Sequence, residues 1–213
     1  MKKLKEKDQV FSPFGGVRGG QKIAIVDYGA GNIQSIKFAV QRLGFEAVLT
    51  HDAKEIKNAE KVIFPGVGEA GSAMRMLKST GLDELIPDLK QPVLGICLGM
   101  QLMCETSEEG NTTGLGIFDA RVVKFNSILK VPQIGWNTIF DLKSELFLGV
   151  QEQEYVYLVH SYFIPECSET IASTEYGVEY TTAIKKNNFY GVQFHPEKSS
   201  SAGEQILKNF LSL

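Results

Sequence analysis

The chain has 213 residues, 43% of them hydrophobic, with 22 basic residues against 25 acidic and a formal charge of −3; that length suits one domain or two small ones. No stretch approaches the roughly 20 consecutive apolar residues that a membrane-spanning helix needs, which excludes a transmembrane protein. The charge is uneven, net +3 over residues 1–20 and −6 over the remainder, and an acidic body without a basic face excludes nucleic acid as a partner.

Residues 1–20 lack periodicity and end in a Gly-rich run broken by Pro13. No apolar signal-peptide core follows their lysines, so they read as an N-terminal extension of unknown role, leaving residues 21–213 as the domain. Residues 22–27 then read as a short buried strand, and Ile33, Ile36, Ala39, Val40 and Leu43 recur at helical spacing up to Gly44. Strands at 46–49 and 61–64, a short helix at 53–58, a loop at 65–71, helical stretches to Pro87, and a strand at 92–96 running into a helix at 98–106 continue the rhythm. Such alternation implies an α/β fold, a mostly parallel sheet flanked by helices. Runs at 120–125, 155–160, 170–174, 181–186 and 189–194 add a β-rich part, closed by a helix at 201–211. Sites in such sheets lie at the carboxyl ends of the strands.

At one such end stands Gly95-Ile96-Cys97-Leu98-Gly99, a nucleophile elbow in which small residues two positions either side avoid collision with the turn. Cys97 is the candidate nucleophile, and the following helix aims its first amides toward the sulfur. Cys104 and Cys167 lack that setting; three cysteines without a C-x-x-C pair predict neither a disulfide framework nor a thiolate metal site, and a reducing, cytoplasmic location is expected. A thiolate nucleophile needs an imidazole and the imidazole an orienting carboxylate. His195-Pro196-Glu197 supplies both on one side of an extended tripeptide. His51 reads as a solvated turn residue, and His160 as either a core histidine or part of the site's lining. Pro65-Gly66-Val67-Gly68 ends a strand on the same sheet edge, where the amide of Val67 or Gly68, with that of Leu98, could receive an oxyanion. The glycines at 29 and 31 fall short of a dinucleotide fingerprint because Gln34 occupies the third position; no cofactor is expected.

Together with Asp27-Tyr28-Gly29-Ala30-Gly31-Asn32, Met100-Gln101, Gln133-Ile134-Gly135-Trp136-Asn137, His160-Ser161-Tyr162 and Gly191-Val192-Gln193-Phe194-His195-Pro196-Glu197-Lys198-Ser199, these motifs make the chain resemble class I, triad-type glutamine amidotransferases over residues 22–213. More narrowly it resembles the glutaminase subunits of imidazole glycerol phosphate synthase. The resemblance implies a flavodoxin-like sheet and a Cys97-His195-Glu197 triad that hydrolyses glutamine. It implies an oxyanion site at Val67, Gly68 and Leu98, and Gly66, Gln101, Ser161 and Tyr162 around bound glutamine. It also implies a partner face at Asn32, Trp136, Tyr157 and Lys198, and a heterodimer with a (β/α)8-barrel cyclase that uses the ammonia in histidine biosynthesis. Rival readings are a glutaminase subunit for another ammonia-using synthase, such as one amidating a nucleotide-linked sugar, a free-standing γ-glutamyl hydrolase, and a non-catalytic docking subunit. An intact triad argues against the last.

Overall fold

Apolar strands without alternation need cover on both faces, and the N-terminal half supplies it. In β1 (Lys22–Val26) every residue after Lys22 is buried, and α1 (Ile33–Arg42) turns Ile36, Ala39 and Val40 inward. β2 (Glu46–Thr50), α2 (Ala53–Asn58), β3 (Lys61–Gly66), α3 (Ala70–Thr80), α4 (Leu82–Leu85) and β4 (Val93–Cys97) follow. Helix starts are fixed by acidic caps: Asp52 accepts from the Lys54 and Glu55 amides at 2.8 and 2.9 Å, and Glu69 from those of Gly71 and Ser72 at 2.8 and 2.7 Å. The chain continues through α5 (Leu98–Leu102), β5 (Cys104–Ser107), β6 (Thr112–Thr113), β7 (Phe118–Lys124), β8 (Gln133–Ile139) and β9 (Glu154–His160). It ends with β10 (Tyr162–Phe163), β11 (Thr170–Glu175), β12 (Glu179–Lys186), β13 (Phe189–Val192) and α6 (Ser200–Leu211).

The structure is a computed structural model that describes residues 22–29, 33–126 and 128–213; the expectations for residues 1–20 and for Asn32 lie outside the described residues. Among the latter, seven strands form one sheet in the order β11-β12-β13-β4-β3-β1-β2. From β13 to β2 neighbours run parallel, and β11 and β12 add an antiparallel edge. The parallel part has the flavodoxin-like order, which gathers the carboxyl ends of β1, β3, β4 and β13 along one rim. One core, with Phe64, Leu77, Met100 and Phe118, packs on one side of the sheet. The other, with Ile63, Ile96, Phe194 and Phe210, packs on the opposite side. No helix of the described residues is long and apolar enough to cross a membrane.

The short strands β6 and β10 have no counterpart in the sequence reading, and two further differences bear on the site. The helix expected at 98–106 stops at Leu102, because amides from the segment beyond β6 capture its last carbonyls: Leu115 donates to Leu102 at 2.8 Å, and Ile117 and Phe118 to Met103 at 2.9 and 3.0 Å. Cys104 therefore opens β5 rather than lying in a helix. The patterning of residues 133–139 predicts no strand, yet β8 pairs with β9 along its whole length as a two-stranded ribbon. Its inward residue Gln133 is polar, while Ile134 and Trp136 are exposed at 62% and 52%, an inversion that hides a strand from hydrophobic patterning.

Candidate active site

Cys97 ends β4 at φ 54° and ψ −113°, a region that non-glycine residues rarely occupy and that costs about 1–3 kcal/mol. The turn exists because neither flank carries a side chain. A β-carbon on Gly99 would fall 1.9 Å from the Phe64 carbonyl oxygen, and one on Gly95 would fall 2.8 Å from the Met100 amide nitrogen. Gly66 lies opposite Cys97 in the β3–β4 register, which brings Val67 and Gly68, at φ +98°, to the sulfur's side of the rim.

β13 runs beside β4 and delivers the third segment. Its continuation places the His195 Nδ1 3.0 Å from the Glu197 Oε1, both side chains nearly buried. Burial pushes the His195 imidazolium down. Hydrogen bonds to Cys97 and Glu197, together with their negative charge, outweigh it and raise the group to about 10. A short Pro196–Lys198 turn holds this geometry. Ser199 Oγ donates to the His195 carbonyl at 2.7 Å and accepts from the Tyr157 amide at 3.0 Å, and the His195 amide donates to the Tyr157 carbonyl at 2.9 Å. The turn bearing His195 is thus tied to β9.

A cavity of about 370 Å³ is lined by Val67, Gly68, Cys97, Leu98, Gln101 and His195, with Ser161 and Tyr162 on its wall, so the residues expected to meet glutamine converge around the sulfur. Gly66 stands behind this lining, at the end of β3. His160 meets both expectations: it is 6% exposed and lines the cavity. Its Nδ1 is 2.8 Å from the Tyr162 carbonyl and its Nε2 3.2 Å from the Tyr180 hydroxyl, and burial pushes the imidazolium down to about 4. His51 is exposed. Cys104 is buried, with its thiol pushed up by desolvation, and Cys167 lies outside the cavity's lining.

Three residues of the site escape the sequence reading. Glu109 lines the cavity and accepts from the Ala70 amide at 2.9 Å, while burial raises its carboxyl. Gln193 is fully buried and donates to Cys97 Sγ at 3.7 Å. Tyr28, just beyond β1, buries a hydroxyl that has no hydrogen-bond partner among the described residues, close enough to Gly66 that a β-carbon there would lie 2.9 Å from it. Glu109 stands in a polar loop, Tyr28 in a turn and Gln193 alone between apolar neighbours, and none of these settings leaves a periodic trace.

Beside the cavity, Trp136 packs edge-on against Tyr157 at 5.9 Å between ring centroids, and Lys198 Nζ stands 6.0 Å from the Tyr157 ring centre. Ile134 and Tyr155, exposed at 62% and 59%, extend this aromatic and apolar surface along the ribbon.

The chain belongs to the class-I glutamine amidotransferase family, whose family model matches residues 24–213. Within it, the chain is similar to the imidazole glycerol phosphate synthase subunits HisH. It is 55% identical to that of Bacteroides thetaiotaomicron, over 90% of this chain and 100% of the relative. To that of Yersinia pseudotuberculosis it is 47% identical, over 90% and 99%. Among solved structures, PurLQS from Thermotoga maritima superposes with a TM-score of 0.69 at 16% identity, over 90% of this chain and 97% of that one, a likeness of fold.

Proposed function

We propose that the chain acts as the glutaminase subunit of an imidazole glycerol phosphate synthase in histidine biosynthesis, with Cys97, His195 and Glu197 as its triad. The Cys97 sulfur attacks the γ-carboxamide carbon of glutamine, and the developing oxyanion is received by the Leu98 amide and by that of Val67 or Gly68. The His195 imidazolium protonates the departing ammonia, leaving a γ-glutamyl thioester. Neutral His195 then takes a proton from water, whose oxygen displaces the sulfur and releases glutamate. Glu197 orients the imidazole and stabilises its charged form. Gly66, Gln101, Ser161 and Tyr162 surround the substrate, and Glu109 offers a carboxylate to its α-ammonium group. The reading assigns this chemistry to residues 21–213 and no role to residues 1–20.

The observation that carries the reading is one cavity lined by a strained cysteine and a histidine, the histidine itself paired to a buried glutamate at 3.0 Å. Ammonia is largely protonated in neutral water and then is no nucleophile, so its release calls for a sealed passage into an acceptor site. The Trp136-Tyr157-Lys198 surface beside the cavity has the composition of an interface centre. Its occupant is a (β/α)8-barrel cyclase subunit, completing a heterodimer that makes imidazole glycerol phosphate and an aminoimidazole carboxamide ribonucleotide. Co-purification with the candidate cyclase, then glutaminase assays with and without the cyclase's ribonucleotide ligand, tests this: ammonia release should rise on complex formation and again with ligand. Full, unregulated activity of the free chain with no cyclase bound would instead make it a free-standing hydrolase.

A further inference from the structure

We propose that Gln193 is a positioning residue for the Cys97 sulfur, its carboxamide locked by a hydrogen-bond chain that begins in the substrate cavity. The inference rests on Cys97 as the nucleophile. The chain starts at the Tyr162 carbonyl, which can only accept. Gln101 Nε2 lies 2.9 Å from it, so Gln101 must present its NH₂ group there. The second hydrogen of that group is directed at Gln193 Oε1, 2.8 Å away, which obliges Gln193 to turn its oxygen toward Gln101 and its own NH₂ toward Cys97 Sγ at 3.7 Å. One backbone carbonyl thereby sets the orientation of two amides in series, with no dependence on how either would be chosen alone.

Three consequences follow for the reaction. The group facing the sulfur is a neutral donor, which favours thiolate over thiol and holds the sulfur while His195 exchanges its proton with the leaving group and water. Gln193 is 0% exposed and so is not itself a substrate contact. Gln101, with both amide hydrogens engaged, keeps Oε1 as its remaining polar atom toward the cavity, which suits a cationic group on the ligand. The other groups facing the sulfur are His195, with Glu197 behind it, the Val159 carbonyl of β9 at 3.8 Å, and Tyr28 beyond β1. All of them stay in place when Gln193 is changed.

The test is alkylation of Cys97 by iodoacetamide as a function of pH, located by mass spectrometry, in the full chain and in Gln193→Met, which keeps the length of the side chain and removes the donor. The variant's profile midpoint should be displaced upward by about one unit, so that on the acid side of the midpoint it reacts about tenfold more slowly. A role confined to packing would lower the melting temperature and leave the midpoint where it was, which overturns the proposal. If the unchanged protein is not alkylated at Cys97, the nucleophile assignment fails instead. Should Gln193→Met not fold, the Gln193 side-chain amide protons of the unchanged protein decide. Their NMR shifts should titrate with the midpoint of alkylation, and shifts that stay flat through it overturn the proposal.

Discussion

A cysteine at φ 54° and a histidine raised to about 10 make a pair whose members are useful only together. Cys97→Ala should remove glutamine hydrolysis, and His195→Ala should cost nearly as much, on the order of 10⁶-fold in kcat. Glu197→Gln should cost about 10⁴-fold, because the imidazole remains while its orientation and the stabilisation of its charged form are lost. Steady-state ammonia release measures all three, and near-native activity in His195→Ala would reject the base. The folded protein holds the His195 proton more tightly than an unfolded chain does, with its midpoint near 6.5. The linked stability is therefore fully present below about pH 6.5 and is lost as pH rises through about 10. Urea titrations at successive pH values should show that decline, and His195→Gln should flatten it; an equal slope in the variant contradicts the linkage. The Tyr28 hydroxyl, buried without a partner among the described residues, is a cost that Tyr28→Phe removes. Stability should rise by about 1–3 kcal/mol with glutaminase activity kept, and a loss of activity would mean that the hydroxyl is used when the oxyanion loop works.

Among the elements, the ribbon of β8 and β9 is joined to the base through Ser199, which satisfies the Tyr157 amide and the His195 carbonyl at once. Ser199→Ala removes the acceptor of the Tyr157 amide in a fully buried setting, while the His195 carbonyl keeps the Lys198 amide at 3.0 Å. It should lower stability by about 1–3 kcal/mol and reduce the activation proposed to come from the cyclase; melting curves and stimulated-to-basal activity ratios read the two effects separately. Unchanged stimulation would show that the ribbon does not act through this link. The same elements mark what sequence could and could not reveal. β1 to β4 were legible because buried parallel strands are uninterrupted apolar runs punctuated by helical spacing. The elbow was legible because Gly95 and Gly99 answer to backbone atoms less than 3 Å away. β8 was not, since Ile134 and Trp136 face outward and its buried Gln133 serves Tyr180 at 2.9 Å. Nor was Gln193, whose meaning depends on Gln101, 92 positions away.

At the scale of the whole molecule, the rim that gathers Cys97, His195 and Glu197 adjoins the exposed face of the ribbon, so one docking event can cover the aromatic surface and the exit from the cavity. Trp136→Ala should weaken cyclase binding by about 2 kcal/mol or more, roughly thirtyfold in Kd, while Cys97 stays reactive toward a glutamine-mimicking alkylator. Titration calorimetry against the cyclase checks the first and mass spectrometry the second; an undiminished Kd moves the interface elsewhere. The strand order has a temporal consequence as well. β4 and β13 are neighbours in register, Gly95 against Gly191, yet the sulfur and its Gln193 donor are separated by 96 positions of chain. Closing so long a loop is slow compared with forming the local helices and the β1–β2 pairing. On dilution from denaturant, helical circular dichroism should return first. The distinctive reactivity of Cys97 should be among the last properties of the native protein to reappear, so a half-refolded chain would carry an ordinary thiol and release no ammonia.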